Sequence, residues 1–202
     1  KPDGAGDTST PPINRQGGFS QVQQDERNIV ARAQAQDSEA FGLIYEAYFD
    51  KIYRYVSIKT GNRTEAEDLT QQVFVKALES ISSYKVQGEV PFSAWLYRIA
   101  HNQIVDCLRR RSRRPTVELD ETMPLAADDD TAAEVELKLE SKELMSATKK
   151  LTAAQQEVIA LRFGAELPIA EVSRLTGRTE GAVKAMQHSA VAALRRIMCE
   201  SR

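Results

Sequence analysis

Leu167–Pro–Ile–Ala–Glu–Val–Ser–Arg–Leu–Thr–Gly177, followed at once by Arg178–Thr–Glu–Gly–Ala–Val–Lys–Ala–Met–Gln–His–Ser–Ala–Val–Ala–Ala–Leu–Arg–Arg196, decides the reading of the fold. A short apolar-periodic stretch stops at Gly177, a tight turn follows, and Thr179 stands where a helix cap belongs. A longer periodic stretch then begins, which is the layout of a helix-turn-helix. Val183, Met186, Ala190, Leu194 and Ile197 recur at steps of three and four and should face a core. Arg178, Thr179, Glu180, Lys184, Gln187 and His188 then fall on the exposed side of the first two turns. Lys184 can donate to guanine, Gln187 can pair with adenine, and Arg178 can reach guanine or phosphate. Thr179 and the helix N-terminal amides suit phosphate positioning. Arg195 and Arg196 lie too far along to read bases. A surface helix without a DNA role would not need turn, cap, glycine and polar face to agree.

Charge complicates this reading. Lys and Arg total 27 against 29 Asp and Glu, a formal net charge of −2, with a sequence pI of about 5.8. Phosphate neutralisation drives most non-specific affinity for duplex DNA, so a self-sufficient binder is expected to be basic. Either the positive charge is concentrated locally or a larger partner supplies it. The two cysteines, Cys107 and Cys199, have no zinc-like spacing, and free thiols are expected. No apolar run approaches the ~20 residues that span a bilayer, and no signal-peptide pattern appears. A soluble, cytoplasmic protein is expected, with no membrane insertion.

Organisation follows the periodicity outward. Residues 1–24 are rich in Gly, Pro, Ser, Thr, Gln and Asp and read as a disordered tail. Asp37 to Phe41 opens a helix with Phe41, Ile44, Tyr45, Tyr48, Ile52 and Val56 on its apolar side. Gly61–Asn62 breaks it. Thr64 with Glu67 predicts a capping box for a helix that buries Leu69, Val73, Phe74, Ala77 and Ile81. A polar loop from Ser82 to Pro91 precedes a helix from Ser93 through Trp95, Leu96, Ile99, Ala100, Ile104 and Leu108. The chain turns strongly cationic at Arg109–Arg–Arg–Ser–Arg–Arg–Pro115, then strongly acidic from Glu118 to Glu136, a linker by composition. The second block, from about Val135, offers Leu137, Leu144, Leu151, Val158, Leu161, Phe163, Ile169, Val172 and Leu175 as further core. The predicted fold is all-α. Two small helical domains, 25–114 and 135–202, are joined by an acidic flexible linker at 115–134, and the second is the helix-turn-helix.

No catalytic constellation appears. His101 and His188 lie in different blocks, and there is neither a phosphate loop nor a nucleophile elbow. Glu65, Glu67 and Asp68 sit at a helix start, where they oppose the macrodipole. No enzyme activity, metal site, cofactor or small-molecule substrate is expected. The arginines after Leu108 exceed what a helix end requires and point to phosphate. Trp95 and Tyr97 could stack on bases, though Trp95 lies on an apolar stripe; Phe92 fits either role.

Asp68–Leu–Thr–Gln–Gln–Val–Phe–Val–Lys–Ala–Leu78 and Phe92–Ser–Ala–Trp–Leu–Tyr–Arg–Ile–Ala–His–Asn102 resemble the second region of bacterial RNA polymerase sigma factors. Leu151–Thr–Ala–Ala–Gln–Gln–Glu–Val–Ile–Ala–Leu–Arg–Phe163, with the helix-turn-helix, resembles their fourth region. The compact arrangement, without a third domain between, is similar to the extracytoplasmic-function (ECF) group. That resemblance implies that Asp68, Gln71 and Gln72 face the clamp coiled coil of the polymerase's largest subunit, and that the second domain meets the flap of the second-largest. It implies that the loop with Tyr84, Lys85, Val86, Gln87 and Gly88 captures a flipped base of the minus-ten element. Arg98, Ile99 and Asn102 would face that element's upstream edge, and Arg109, Arg110, Arg111 and Arg113 would grip phosphates at the fork. Arg178, Thr179, Glu180, Lys184, Gln187 and His188 would meet the minus-thirty-five element. The partners so implied are core polymerase, promoter DNA and an anti-sigma factor.

The alternative is a stand-alone helix-turn-helix regulator with a helical effector domain, binding its operator as a dimer. The Asp68–Leu78 and Phe92–Asn102 stretches separate the two readings, because an effector domain has no reason to carry them.

Overall fold

The computed structural model describes residues 15–86, 90–113 and 143–200. Four helices make the first block: α1 (Arg15–Gln34), α2 (Ser38–Thr60), α3 (Arg63–Ser80) and α4 (Phe92–Arg113), with a 3-10 turn at Ile81–Ser83. Helical residues 143–149 (α5), α6 (Ala153–Ile159), a π turn at Ala160–Gly164, α7 (Ile169–Thr176) and α8 (Glu180–Glu200) make the second. No strand occurs among the described residues. Helix α1 starts at Arg15, inside the stretch expected to be a tail; residues 1–14 and the acidic segment lie outside the described residues.

Local chemistry sets the helix ends. Asp37 Oδ1 accepts from the amides of Glu39 (3.0 Å) and Ala40 (3.1 Å), while Oδ2 holds Arg32. Gly61, at φ 65°, ends α2 in the left-handed region that favours glycine. Asn62 then caps α3, its Oδ1 accepting from Glu65 N at 2.9 Å. This corrects the expected Thr64–Glu67 capping box. The helix begins at Arg63, so Thr64 already lies in the first turn, and Glu67 pairs with Arg63 instead. A capping box does form at Thr152 and Gln155.

The first block buries Ile44, Ile52, Tyr55, Val56, Leu69, Val73, Phe74, Leu96 and Ile104 between α2, α3 and α4. Phe92 and Tyr97 belong to the same core, at 2% and 1% exposure, so neither is available for stacking on a base.

The two blocks do not hang apart. Val158, Ala160, Leu161, Ala165, Leu167, Val172 and Val183 join the first block's core as one contiguous apolar cluster. The π turn lies against α2, and Gly164 permits the approach: a Cβ there would sit 3.2 Å from both Tyr55 N and Tyr55 Cα. Polar bonds cross the same seam. Arg54 pairs with Glu166 at 2.8 Å, Ser93 donates to Glu171 at 2.8 Å, and Gln156 donates to the Ile58 carbonyl at 3.2 Å.

Two core candidates of the second block, Leu144 and Phe163, are 45% and 52% exposed, and Tyr45 and Leu108, expected on the apolar sides of α2 and α4, are exposed at 38% each. The π turn explains Phe163. Its Ala165 N to Ala160 O bond inserts an extra residue into the helical repeat, which turns Leu161 and Gly164 inward and Phe163 outward.

Candidate nucleic-acid interface

The turn before α8 is built from backbone bonds. Gly177 adopts φ 66°, and its N–H donates to the Ser173 carbonyl, as does Arg178 N at 3.1 Å. The Ser173 hydroxyl donates back to the Arg178 carbonyl. Thr179 Oγ1 then accepts from Ala182 N at 3.2 Å and caps α8. With Val183, Ala190 and Leu194 buried beneath, Arg178, Thr179, Glu180, Lys184 and His188 emerge exposed around the helix start. Gln187 differs from them. It is half-buried and its amide oxygen accepts from Arg162 Nε at 3.0 Å, while the same guanidinium donates to the Leu167 carbonyl. Arg162, which sequence reasoning passed over, therefore ties the face of α8 to the start of α7.

On the first block, Arg98 and Asn102 are exposed one turn apart on α4, with Ile99 half-buried beside them. Helix α4 continues through the cationic run, and Arg109, Arg110, Arg111 and Arg113 all lie exposed in its last turns. Arg111 pairs with Glu65 at 3.8 Å. Aromatic packing and one hydrogen bond hold the loop's entry. Tyr84 is half-buried, its ring edge-on to Phe92 (5.4 Å) and tilted against Trp95 (5.5 Å), and its hydroxyl donates to the Val90 carbonyl at 2.8 Å. Lys85 is exposed and Val86 half-buried; Gln87 and Gly88 lie outside the described residues.

Asp68, Gln71 and Gln72 are exposed on α3 and line a shallow depression of about 380 Å3 together with Val75 and Gln103. Val75 and Leu78 are 58% and 50% exposed, although apolar. Sequence reasoning missed both; the signal was an apolar side chain standing off the buried stripe.

A cleft of about 540 Å3 opens where the blocks meet, and it brings residues from both together. Lys59, Arg98 and His101 line it from the first block, Arg178 and Glu157 from the second. Glu157 is the hub. Tyr55 Oη donates to its Oε1 at 2.8 Å, Lys59 Nζ donates to its Oε2 at 2.6 Å, and His101 Nδ1 lies 3.5 Å from Oε1. Burial pushes the Glu157 carboxyl up, but His101, Lys59 and Tyr55 outweigh it and hold the group down at about 2. Tyr55 is pushed well above the usual phenol range, by burial first and by Glu157 second.

Residues 44–114 match the Sigma-70 region 2 family and residues 147–196 the Sigma-70, region 4 family. The ECF RNA polymerase sigma factor SigW of Bacillus subtilis is 32% identical over 174 residues, covering 79% of this chain and 89% of SigW. This chain belongs to the ECF RNA polymerase sigma factors. The ECF RNA polymerase sigma factor BldN of Streptomyces coelicolor is 36% identical over 171 residues, covering 84% of this chain and 64% of BldN's length. Among solved structures, RpoE in complex with the anti-sigma factor NepR from Bartonella quintana shares the fold. Its TM-score is 0.60 at 20% identity, covering 80% of this chain and 98% of RpoE.

Membership in the ECF sigma factors leaves the stand-alone regulator without support, because the first block matches a sigma region in its own right. No helix among the described residues of this sigma factor is long and apolar enough to cross a membrane. What sequence reasoning did not find in it is the hub at Glu157, whose partners stand 56 to 102 positions away along the chain.

Proposed function

We propose that this sigma factor binds core RNA polymerase, directs it to promoters with minus-thirty-five and minus-ten elements, and promotes melting of the second. The observation that carries the reading is the pairing of an exposed, capped α8 start on one block with an exposed arginine-rich α4 end on the other. Arg178, Lys184 and His188, with Thr179 and Glu180, meet the upstream element, and Gln187 contributes within the limits set by Arg162. Arg98, Ile99, Asn102 and the arginines from Arg109 to Arg113 meet the downstream one, and the loop from Tyr84 captures a base. Asp68, Gln71 and Gln72, flanked by Val75, dock on the clamp coiled coil, and the second block docks on the flap. The domain limits in use are 25–114 and 135–202. The protein works in the cytoplasm without catalysing a reaction of its own.

Geometry adds a condition. Elements centred about 25 steps apart are separated by roughly 85 Å of duplex. A compact body of about 160 residues has a radius of gyration near 15 Å and is roughly 40 Å across. The packed blocks cannot meet both elements at once, so they separate on the polymerase. In the packed form Arg98 and Arg178 share one cleft, which suits capture by an anti-sigma factor such as the one that holds RpoE.

Run-off transcription with purified core polymerase on a promoter library tests the reading. Promoter-specific transcripts that require this chain are expected; their absence with every core from a related source refutes it.

A further inference from the structure

The start of α8 carries one side chain whose two polar ends are not equivalent. Gln187 lies on the side of the helix that presents Glu180 and Lys184. Its amide oxygen accepts from Arg162 Nε at 3.0 Å, and the Arg162 guanidinium also donates to the Leu167 carbonyl. Which end of the amide faces Arg162 is dictated by chemistry. A guanidinium has donors and no acceptor, so only the oxygen of Gln187 can meet it. Nε2 is left on the far side of the amide, open to solvent and without a hydrogen-bond partner among the described residues.

Arg162 is itself held in place. It sits half-buried in the π turn closed by the bond from Ala165 N to Ala160 O at 2.9 Å, and Leu161 beside it is buried. Leu167, whose carbonyl takes its second bond, is buried as well. A further tether reaches α8 from α6. Gln155 Nε2 donates to the Ser189 hydroxyl at 2.9 Å, while Gln155 Oε1 accepts from Thr152 N at 3.1 Å. Positions 187 and 189 are thus set by the elements packed against α8 rather than from within it.

A glutamine that pairs with adenine needs both ends of its amide, the oxygen to accept from N6 and the nitrogen to donate to N7. With its oxygen held by Arg162, Gln187 offers donors alone. Guanine presents two acceptors, N7 and O6, on the same groove edge. The glutamine expected from the sequence to pair with adenine is thereby turned towards guanine.

We infer that Arg162 is a specificity-determining positioning residue of the minus-thirty-five reader: it locks the Gln187 amide so that the base facing it is read as guanine rather than adenine. The inference rests on the reading of the α8 start as the upstream-element surface. Arg162 touches no base; it acts through Gln187.

The test runs holoenzymes carrying the wild-type chain, Arg162→Met, Gln187→Ala and the double variant on promoters randomised through the minus-thirty-five element. Gln187→Ala identifies the position read, as the one where base preference collapses. The wild type should favour guanine over adenine there by roughly tenfold, the scale of one well-placed contact to a base edge. Arg162→Met frees the amide to rotate and should bring adenine level with guanine, a shift of about tenfold on the same scale. On the Gln187→Ala background the Arg162 substitution should change no base preference, as a residue acting only through Gln187 requires. Hydrogen exchange at Arg162 Nε, read by NMR on the intact chain, tests the lock without altering Arg162. It should speed up roughly fivefold from wild type to Gln187→Ala, the scale of one net hydrogen bond.

Adenine preference in the wild type, unchanged preference in Arg162→Met, or equal exchange rates would each overturn the inference and leave the upstream reading intact. So would a uniform loss across all bases in Arg162→Met, the mark of a phosphate contact. If Gln187→Ala alters preference at no position while Lys184→Ala does, Gln187 does not read DNA and the inference falls alone. If neither substitution alters preference, the reading of the α8 start fails and the inference with it.

Discussion

Replacing Glu157 by glutamine isolates the electrostatic part of the seam between the blocks. The substitution keeps the shape of the side chain and removes its charge. Tyr55 can still donate to the amide oxygen, but Lys59, whose side chain is only 11% exposed, loses its counter-charge at 2.6 Å. The magnitude follows from the carboxyl's own titration. Burial raises it, yet His101, Lys59 and Tyr55 carry it from an ordinary 4.5 down to about 2. That difference is worth on the order of 3 kcal/mol at neutral pH, the scale on which breaking a buried pair from one side is costly. Glu157 belongs to the second block and all three partners to the first, so the loss falls on the seam rather than on either block's own core. Small-angle X-ray scattering should therefore give a larger radius of gyration for Glu157→Gln than for the wild type, and thermal unfolding should split into two transitions.

The dependence on pH has a definite sign. A carboxyl held below its ordinary value contributes fully above about pH 4.5 and loses that contribution as pH falls through about 2. The difference between wild type and variant should be constant near neutrality and shrink across that window. A variant with wild-type scattering and a single transition at the wild-type temperature would refute the assignment of the hub.

Three other outcomes are expected. Lys184→Ala should shift base preference at the upstream element by roughly tenfold in promoter-library transcription, with core binding in a pull-down unchanged. Gly164→Ala should destabilise the packed form by about 1 kcal/mol net, since a Cβ 3.2 Å from the α2 backbone costs more than the helix propensity alanine adds; calorimetry of the intact chain reads the loss. Thr179→Ala removes the bond to Ala182 N and should lower the unfolding midpoint of the second block by the equivalent of about 1 kcal/mol, seen by circular dichroism.

The sequence by itself determined the all-α fold, the helix-turn-helix and most of the core, because those signals are local. Gly177 and Thr179 act within four residues of where they stand, and the stripe from Val183 to Leu194 repeats within a turn. The family likeness was legible for the same reason, being carried by contiguous stretches. Even locally, competition between neighbouring caps misled: Asn62 takes the α3 start that Thr64 was expected to hold. Tertiary structure alone decided what lies far apart along the chain. The acidic segment reads as a tether, yet the blocks share one apolar cluster, because Gly164 lets the π turn settle on Tyr55. That settling brings Glu157 to Lys59 and His101. Gln34 reads as an unremarkable polar residue at a helix end, and only the folding of α1 over the 3-10 turn brings it to the carbonyls of Ile81 and Tyr84. Side-chain amides and carboxylates show no period that betrays a distant partner, so burial and hydrogen bonding across the chain had to be seen to assign them.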